Sequence, residues 1–484
     1  MLLKRLSRFK SLTSSDVSYF KTLMPTEAAV ITDKERLVSY NQDWTRKMTG
    51  NASVVLRPQT TEEVSHILNY CNQESIAVVP QGGNTSLAGG SVPVFDEVIL
   101  STERMDRITG FDASSGILTC QSGCVLETLD NWLSERGHMM PLDLGAKGSC
   151  NIGGNVATNA GGLRLLRYGS LHGTVLSLEV VLADGTILDL GRPLRKDNTG
   201  YDLKHLFIGS EGTLGVVSSV SILTPQRPNA VNVAILGLQS FQDLQRLFSR
   251  AKQQLGETLS AFEFWDSSSM KLVSRFSRSQ SPFESQVAFY ALVETSGAHK
   301  EHDDEKLQQF LESALTDTVV VDGAVAQDTT QQQAFWAIRE SVPEACAREG
   351  GNFKFDVSVP LDSMYSVVER LRDRLTQLRL NDSKEQEHVK TIAAFGHMGD
   401  GNLHLNITST GCTERLQNTI EPYVYQLVKE YAGSVSAEHG MGLVKTPYLS
   451  YSKPEATIAM MRRVKSLFDP RGILNPYKYL PITK

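Results

Sequence analysis

The chain has 484 residues, 40% hydrophobic and 21% charged, with 48 basic against 54 acidic side chains and a formal net charge of −6. At about 100–200 residues per domain this length implies two or three domains, and the near-average composition excludes disorder, collagen-like repeats and a disulfide scaffold. The acidic balance argues against nucleic acid as the main partner, and no apolar run reaches the about 18–20 residues of a membrane-crossing helix. The chain opens on Lys4, Arg5, Arg8 and Lys10 with no acid before Asp16, and Leu2, Leu3, Leu6, Phe9 and Leu12 fall on one helical face. A basic, amphipathic start over residues 1–15 has the composition of a mitochondrial targeting segment; the plainer alternative is a surface helix opening the first domain.

From 50 to 225 short apolar runs (VVLRP, AVVP, EVILS, GILTC, LEVVLA, VVSSVSIL) alternate with turns, the spacing of mixed α/β structure. The stretch from Thr60 to Gln73 reads as a helix, with Thr60 or Thr61 as cap, Glu62 and Glu63 in its first turn, and Val64, Ile67 and Leu68 at helical spacing. After Pro225 to Pro228 the texture changes to helices such as Phe241–Leu255 and Glu305–Leu315 between strands such as VNVAILGL and VAFYALVET. The polar run NDSKEQEHVK precedes a buried strand, TIAAF. Domains are therefore expected over 50–228 and 229–442, followed by a helical piece over 443–484. Six cysteines (Cys71, Cys120, Cys124, Cys150, Cys346, Cys412) form no CxxC pair and read as unpaired thiols of a reducing compartment.

Three small-residue loops stand out. Gln81-Gly82-Gly83-Asn84-Thr85-Ser86 through Gly89-Gly90-Ser91 follows the strand IAVV; Gly145 to Ser149 leads through Gly153-Gly154 to Gly161-Gly162; and Gly209-Ser210-Glu211-Gly212 follows later. Paired glycines bring successive N–H groups close to an anion, and three such loops suit an extended ligand with a pyrophosphate and rings. Neither GxGxxG nor GxxxxGK[ST] occurs. The runs PQGGNTSLAGGSVP, MPLDLGAKGSCNIGGNVATNAGGLRLLRYGS, LRKDNTGYDLKHLFIGSEGTLG, GHMGDGNLHLN, SVSAEHGMG and DPRGILNPYK resemble the vanillyl-alcohol-oxidase superfamily, and within it the mitochondrial D-2-hydroxyglutarate dehydrogenases, related to the D-lactate and glycolate dehydrogenases. The resemblance covers about residues 50–480. It implies an α+β protein: a PCMH-type FAD-binding domain, an α/β substrate (cap) domain and a C-terminal helical segment returning to the first. It also implies that Gln81, Gly82, Gly83, Asn84, Thr85, Ser86, Gly89 and Ser91 line the FAD pyrophosphate. Pro141, Gly145, Ser149, Gly153, Gly154, Thr158, Asn159, Gly161, Gly162, Glu211, Gly212 and Asn475 would run along the rest of the cofactor. Relatives with covalent flavin use a His or Cys, often in the loop matching 81–86; neither occurs there, so non-covalent FAD is expected.

GHMGDGNLHLN reads as strand, tight turn, strand, with Asp400-Gly401 as hairpin chemistry. His404, Asn406 and Thr408 then share one face, and His397 can approach His404 from the facing strand. With Glu438 of AEHGMG these two histidines make a three-ligand site with open positions, the pattern of zinc or a similar divalent ion, although the spacing matches no HExxH signature. The family ligates a divalent metal through the residues matching His397, His404 and Glu438. His439 reads as the base that takes a hydroxyl proton while C2 hydride passes to flavin N5, its alternative being a partner of Glu438. Arg339 and Lys354 are candidate cations for a diacid; the resemblance places them, with Asn406 and His439, against substrate. One departure is Pro343, where the family often has Thr. Together these readings predict oxidation of D-2-hydroxyglutarate to 2-oxoglutarate. Alternatives are D-lactate or another D-2-hydroxy mono-acid on the same fold, or a flavin-free metal-dependent hydrolase. Family analogy suggests an electron-transferring flavoprotein as acceptor and the mitochondrial matrix as address; a homodimer is an open expectation.

Overall fold

The computed structural model describes residues 8–481, and the segment Met1–Ser7 of the expected targeting stretch lies outside them. No helix forms over residues 8–13. The first helix runs Ser14–Leu23, held by a capping box in which Thr13 and Asp16 exchange side-chain and backbone bonds. Phe9 instead enters the core and meets Tyr477 edge-on, while Lys10 pairs with Asp16 and Glu74. Among the described residues no helix is long and apolar enough to cross a membrane.

Two compact units emerge, one from residues up to Gly162, Gly169–Arg227 and Glu438 onward, the other from Leu163–Tyr168 and Pro228–Ala437. In the first unit β1 (Val30–Ile31), β2 (Val55–Leu56), β3 (Val78–Gln81) and β4 (Val98–Ser101) make a sheet in the order β1-β2-β4-β3, parallel except for the β1–β2 pair. A second, antiparallel sheet contains β5 (Ile108–Asp112), β6 (Ile117–Gln121), β7 (Val175–Val181), β8 (Ile187–Asp189) and β9 (Val216–Leu223) in the order β5-β6-β9-β7-β8. The helix expected from Thr60 runs Thr61–Glu74 with Thr60 as its cap, and buries Val64, Ile67, Leu68 and Cys71.

The second unit is a single sheet of β10 (Ala230–Leu238), β11 (Leu259–Asp266), β12 (Phe289–Gly297), β13 (Asp322–Val325), β14 (Gly351–Ser358), β15 (Val389–His397) and β16 (Asn402–Ser409), in the order β13-β10-β12-β11-β15-β16-β14. Every pairing is antiparallel, which corrects the expected α/β arrangement of this part: helices here cover a sheet rather than cross over between parallel strands. Helix Phe241–Leu255 covers one face, its Phe248 ring 5.0 Å from Phe262. Helices Ser267–Phe276, Thr329–Glu340 and Val342–Glu349 cover the other, sharing a core with Trp265, Ala393 and Phe395. Both faces are therefore apolar at most positions, so polar residues inside these strands mark a site.

Candidate active site

In the first unit the glycine-rich loop leaves β3 and is laced by its own polar side chains. Gln81 Nε2 donates to the carbonyls of Tyr40 (3.0 Å) and Ser91 (2.8 Å). Asn84, in the left-handed region at φ 54°, donates to the carbonyls of Ser39 and Gln42 and accepts from Ser91 Oγ at 2.7 Å. Ser86 Oγ accepts from the N–H groups of Ala88 and Gly90. Thr85 lies between them, half-buried, and Gly89 turns the chain at φ 69°. A Cβ on Gly83 would stand 1.9 Å from the Ser149 carbonyl oxygen, and one on Gly82 3.3 Å from the Asn151 side chain. Loops 81–84 and 149–151 thus touch backbone to backbone, and together they line a cavity of about 460 Å³ with Tyr40, Asp106, Cys124 and Thr128.

The second loop continues this cradle. A Cβ on Gly153 would strike Ser122, whereas Gly145 and Gly154 face open space. Thr158 caps back onto the Gly154 carbonyl and Asn159 ends the helix Ile152–Thr158 at φ 47°. Pro141 is buried, Gly161 precedes Gly162, and Gly162 turns at φ 85° and donates its N–H to Glu438 Oε2 at 3.2 Å. The buried side-chain amide oxygens of Asn151, Asn155 and Asn159 find no donor among the described residues, each worth about 1–3 kcal/mol if left so. Glycines without room for a Cβ, an open cavity and buried acceptors awaiting donors fit an extended cofactor such as FAD.

Glu211, Gly212 and Asn475 serve differently. The Glu211 carboxylate accepts the N–H groups of Met441 (2.6 Å) and Gly442 (2.8 Å); burial raises its carboxyl above the ordinary range despite these bonds. Gly212 turns at φ 69° against Pro80. Asn475 Nδ2 donates to the carbonyls of Gly90 and Glu211, and its Oδ1 accepts from Lys478 Nζ at 2.7 Å. These side chains tie the end of the glycine loop to the C-terminal segment. Sequence reasoning missed Lys478, whose complete burial lowers its pKa to about 7.

In the second unit the strand registers gather the other candidates. Directly paired residues of antiparallel strands share a face. Glu263 faces His397, His397 faces Asn402, Asp356 faces His404, and Lys354 faces Asn406. His397 Nε2 and His404 Nε2 lie 3.2 Å apart, close to the about 3.3 Å that two nitrogens adopt on one tetrahedral zinc ion. His397 Nδ1 meets Glu263 Oε1 at 2.7 Å, which assigns its proton there and turns Nε2 toward His404. Burial would raise the Glu263 carboxyl, but His397 and Arg339 against it hold it below its ordinary value. Arg339 is itself buried, bonded to Glu263 Oε2 through Nε (3.1 Å) and Nη2 (2.9 Å), with its guanidinium 4.8 Å from the Phe395 ring centre. Its nearest charge is therefore Glu263. Lys354 is exposed; Asn406 is buried and bonded to Cys346, whose thiol burial pushes up to about 12. Pro343 occupies the first turn of helix Val342–Glu349, which begins where the preceding helix stops at Ser341; its fixed φ and missing N–H suit that position.

Asp356 and Glu263 are the residues the spacing did not single out. Asp356, 1% exposed, accepts from Asn402 Nδ2 at 3.0 Å and Ser436 Oγ at 3.4 Å, and its carbonyl accepts from Ala437 N–H. Glu438 is the next residue along the chain, with His439 Nε2 3.6 Å from its Oε1. Among the described residues Asp356 and His404 offer ligand atoms within 4.8 Å of each other, as do Glu438 and His439. A donor set of imidazole and carboxylate fits zinc or a similar divalent cation.

A family model for the FAD binding domain matches residues 52–191, and one for the C-terminal domain of FAD linked oxidases matches 227–479. The chain is a member of the FAD-linked oxidase family. Within this family it is 54% identical over 473 residues to the mitochondrial D-2-hydroxyglutarate dehydrogenase of Danio rerio, covering 98% of this chain and 86% of that one. It is 48% identical to a putative mitochondrial D-lactate dehydrogenase of Schizosaccharomyces pombe (99% and 92% covered) and 45% identical to a D-2-hydroxyglutarate–pyruvate transhydrogenase of Saccharomyces cerevisiae (99% and 96%). Among solved structures, p-cresol methylhydroxylase aligns with a TM-score of 0.75 over 97% of this chain and 98% of that one, at 14% identity. Alkyldihydroxyacetonephosphate synthase aligns at 0.74, over 98% and 86%, at 16% identity. At such identities these two establish the fold: this FAD-linked oxidase has the α+β architecture of the PCMH-type flavoproteins.

Proposed function

We infer that this FAD-linked oxidoreductase oxidises D-2-hydroxyglutarate to 2-oxoglutarate with non-covalent FAD and a divalent metal, zinc being the first candidate. One observation carries the reading. On a single sheet face, the row of His404 and Asp356 is followed two residues away by the row of Asn406 and Lys354, a step of about 7 Å along the strands. An N/O donor set for a cation at one end and an amide and an ammonium at the other support a site for a five-carbon diacid rather than for lactate. Bound FAD supplies the hydride acceptor. A divalent ion held by His397, His404 and Glu438 supplies a Lewis acid for the hydroxyl and its neighbouring carboxylate. The residues of the chain do the rest: Lys354 and Asn406 orient the distal carboxylate, Arg339 adds its charge behind His397, and His439 takes the hydroxyl proton.

The D-lactate alternative draws support from the Schizosaccharomyces pombe relative, and the Saccharomyces cerevisiae relative supports a second oxo acid as an acceptor in place of an electron-transferring flavoprotein. The mitochondrial names of most relatives support a mitochondrial location, within which the matrix is the proposed compartment. A homodimer is the assembly to test by light scattering. The test of the chemistry is His439→Asn: FAD and metal contents stay at wild-type values while kcat falls about 10²–10⁴-fold. Near-normal kcat would remove His439 from proton transfer.

A further inference from the structure

One cavity of the second unit takes no part in the proposed chemistry. It has a volume of about 490 Å³ and lies at the end of helix Ser267–Phe276, beside helix Val342–Glu349. Three guanidinium groups line it, Arg275, Arg278 and Arg348, against one carboxylate, Glu344. None of its lining residues belongs to the glycine-loop cavity or to the proposed substrate and metal residues. The local excess of positive charge stands on a chain whose formal net charge is −6. Like charges gathered around one cavity repel each other, and an anion entering it relieves that repulsion.

Two of the three arginines are held by their neighbours. Arg348 Nη1 donates to the Phe276 carbonyl at 2.8 Å and Nη2 to Glu344 Oε1 at 2.6 Å, which ties the two helices together. Arg275 Nη1 lies 3.7 Å from Glu349 Oε1, and its guanidinium stands 4.9 Å from the Phe276 ring centre. Glu349 is in turn bonded by the Thr408 hydroxyl. Arg278 is exposed and makes no hydrogen bond or ion pair with any described residue. Each guanidinium carries five N–H donors, so the two held groups keep donors to spare. Exposed ion pairs add little to stability, which leaves folding a weak reason for gathering three arginines here.

We propose that this cavity binds a small polyanion, a diphosphate or a tricarboxylate, at a site separate from that of the hydroxy acid. Arg278 and Arg348 supply planar forks that match carboxylate or phosphate oxygens, and Arg275 adds its charge. A pocket of this volume admits a molecule of that class and not only a lone ion.

The test is equilibrium dialysis of full-length, FAD-loaded protein against inorganic pyrophosphate and, separately, 1,2,3-propanetricarboxylate. Wild type is compared with Arg278→Gln, Arg278→Lys, Arg348→Gln and, as a control for net charge, Arg415→Gln on the exposed surface of another helix. Anion bound elsewhere is common to all five proteins and drops out of the comparison. Saturable binding that weakens about tenfold in Arg278→Gln and Arg348→Gln, less in Arg278→Lys and not in Arg415→Gln, is the expected result. The tighter of the two anions identifies the ligand as phosphate or carboxylate. Arg348→Gln also loses the bond to Phe276, so Arg278→Gln, with an unchanged thermal midpoint, is the deciding variant. Absence of saturable binding of both anions, equal affinity in wild type and Arg278→Gln, or an equal loss in Arg415→Gln overturns the site.

Discussion

Gly83→Ala adds one methyl group to the wall of the proposed cofactor cavity. The new carbon would lie 1.9 Å from the Ser149 carbonyl oxygen, 2.9 Å from its carbon and 3.0 Å from Cys150 Cα, all backbone atoms. Ordinary contact begins near 3.4 Å, so loops 82–84 and 149–151 must separate by about 1.5 Å. Overpacking of this kind costs about 1–3 kcal/mol. Because the same two loops form the cavity, the separation falls on the cofactor site, and about 2 kcal/mol corresponds to about thirtyfold weaker FAD binding. The companion Gly154→Ala meets no protein atom within 4 Å and sits inside the helix Ile152–Thr158, where Ala is preferred to Gly by about 0.5–1 kcal/mol. It is expected to leave the apoprotein as stable or slightly more so, yet to weaken FAD binding if that open space belongs to the cofactor. Flavin absorbance per chain after dialysis, FAD titration by fluorescence quenching and the apoprotein thermal midpoint read all three quantities. Full flavin retention by Gly83→Ala would refute the assignment of the cradle.

Lys354→Met is expected to raise KM for D-2-hydroxyglutarate about 10–100-fold while changing kcat/KM for D-lactate little, because only the diacid presents a second carboxylate; equal losses on both substrates would detach Lys354 from the distal group. Glu263→Gln leaves Arg339 buried beside a neutral amide and frees His397 to change tautomer; a fall in unfolding free energy of about 3–5 kcal/mol together with weaker metal binding is expected by denaturant titration and chelator competition. Lys478 binds its proton less tightly folded (pKa about 7) than unfolded (ordinary value 10.5). Between those values the unfolded chain holds more protons, so wild-type stability rises as pH increases from 7 toward 10; Lys478→Met removes that rise, and an unchanged slope would contradict the burial argument.

Local chemistry carried much of this structure. Thr60 caps its helix, the six apolar runs between 50 and 225 became strands, and Asp400-Gly401 turns the hairpin that puts His397 beside His404. Those features depend on neighbours within a few residues. What the sequence left hidden depends on strands meeting across long separations. Glu263 and Arg339 are 76 residues apart and Glu263 and His397 are 134 apart, and only the sheet order brings them into contact. A charged residue inside the otherwise apolar run 261–265 of β11 was the available signal for Glu263. Alternation of Asn352, Lys354 and Asp356 with Phe353, Phe355 and Val357 was the signal for Asp356. Of the chain's opening, the described residues 8–13 form no helix, and Phe9 is buried in the core.

The account stands most directly on an anaerobic titration of the purified protein followed by flavin absorbance. Additions of D-2-hydroxyglutarate, its L-isomer and D-lactate are made in parallel, with and without chelator. Bleaching by D-2-hydroxyglutarate, absent with the L-isomer, weak with D-lactate and lost on chelation, is the predicted result. Preferential bleaching by D-lactate, bleaching indifferent to chelation, or a protein that carries no flavin would contradict it.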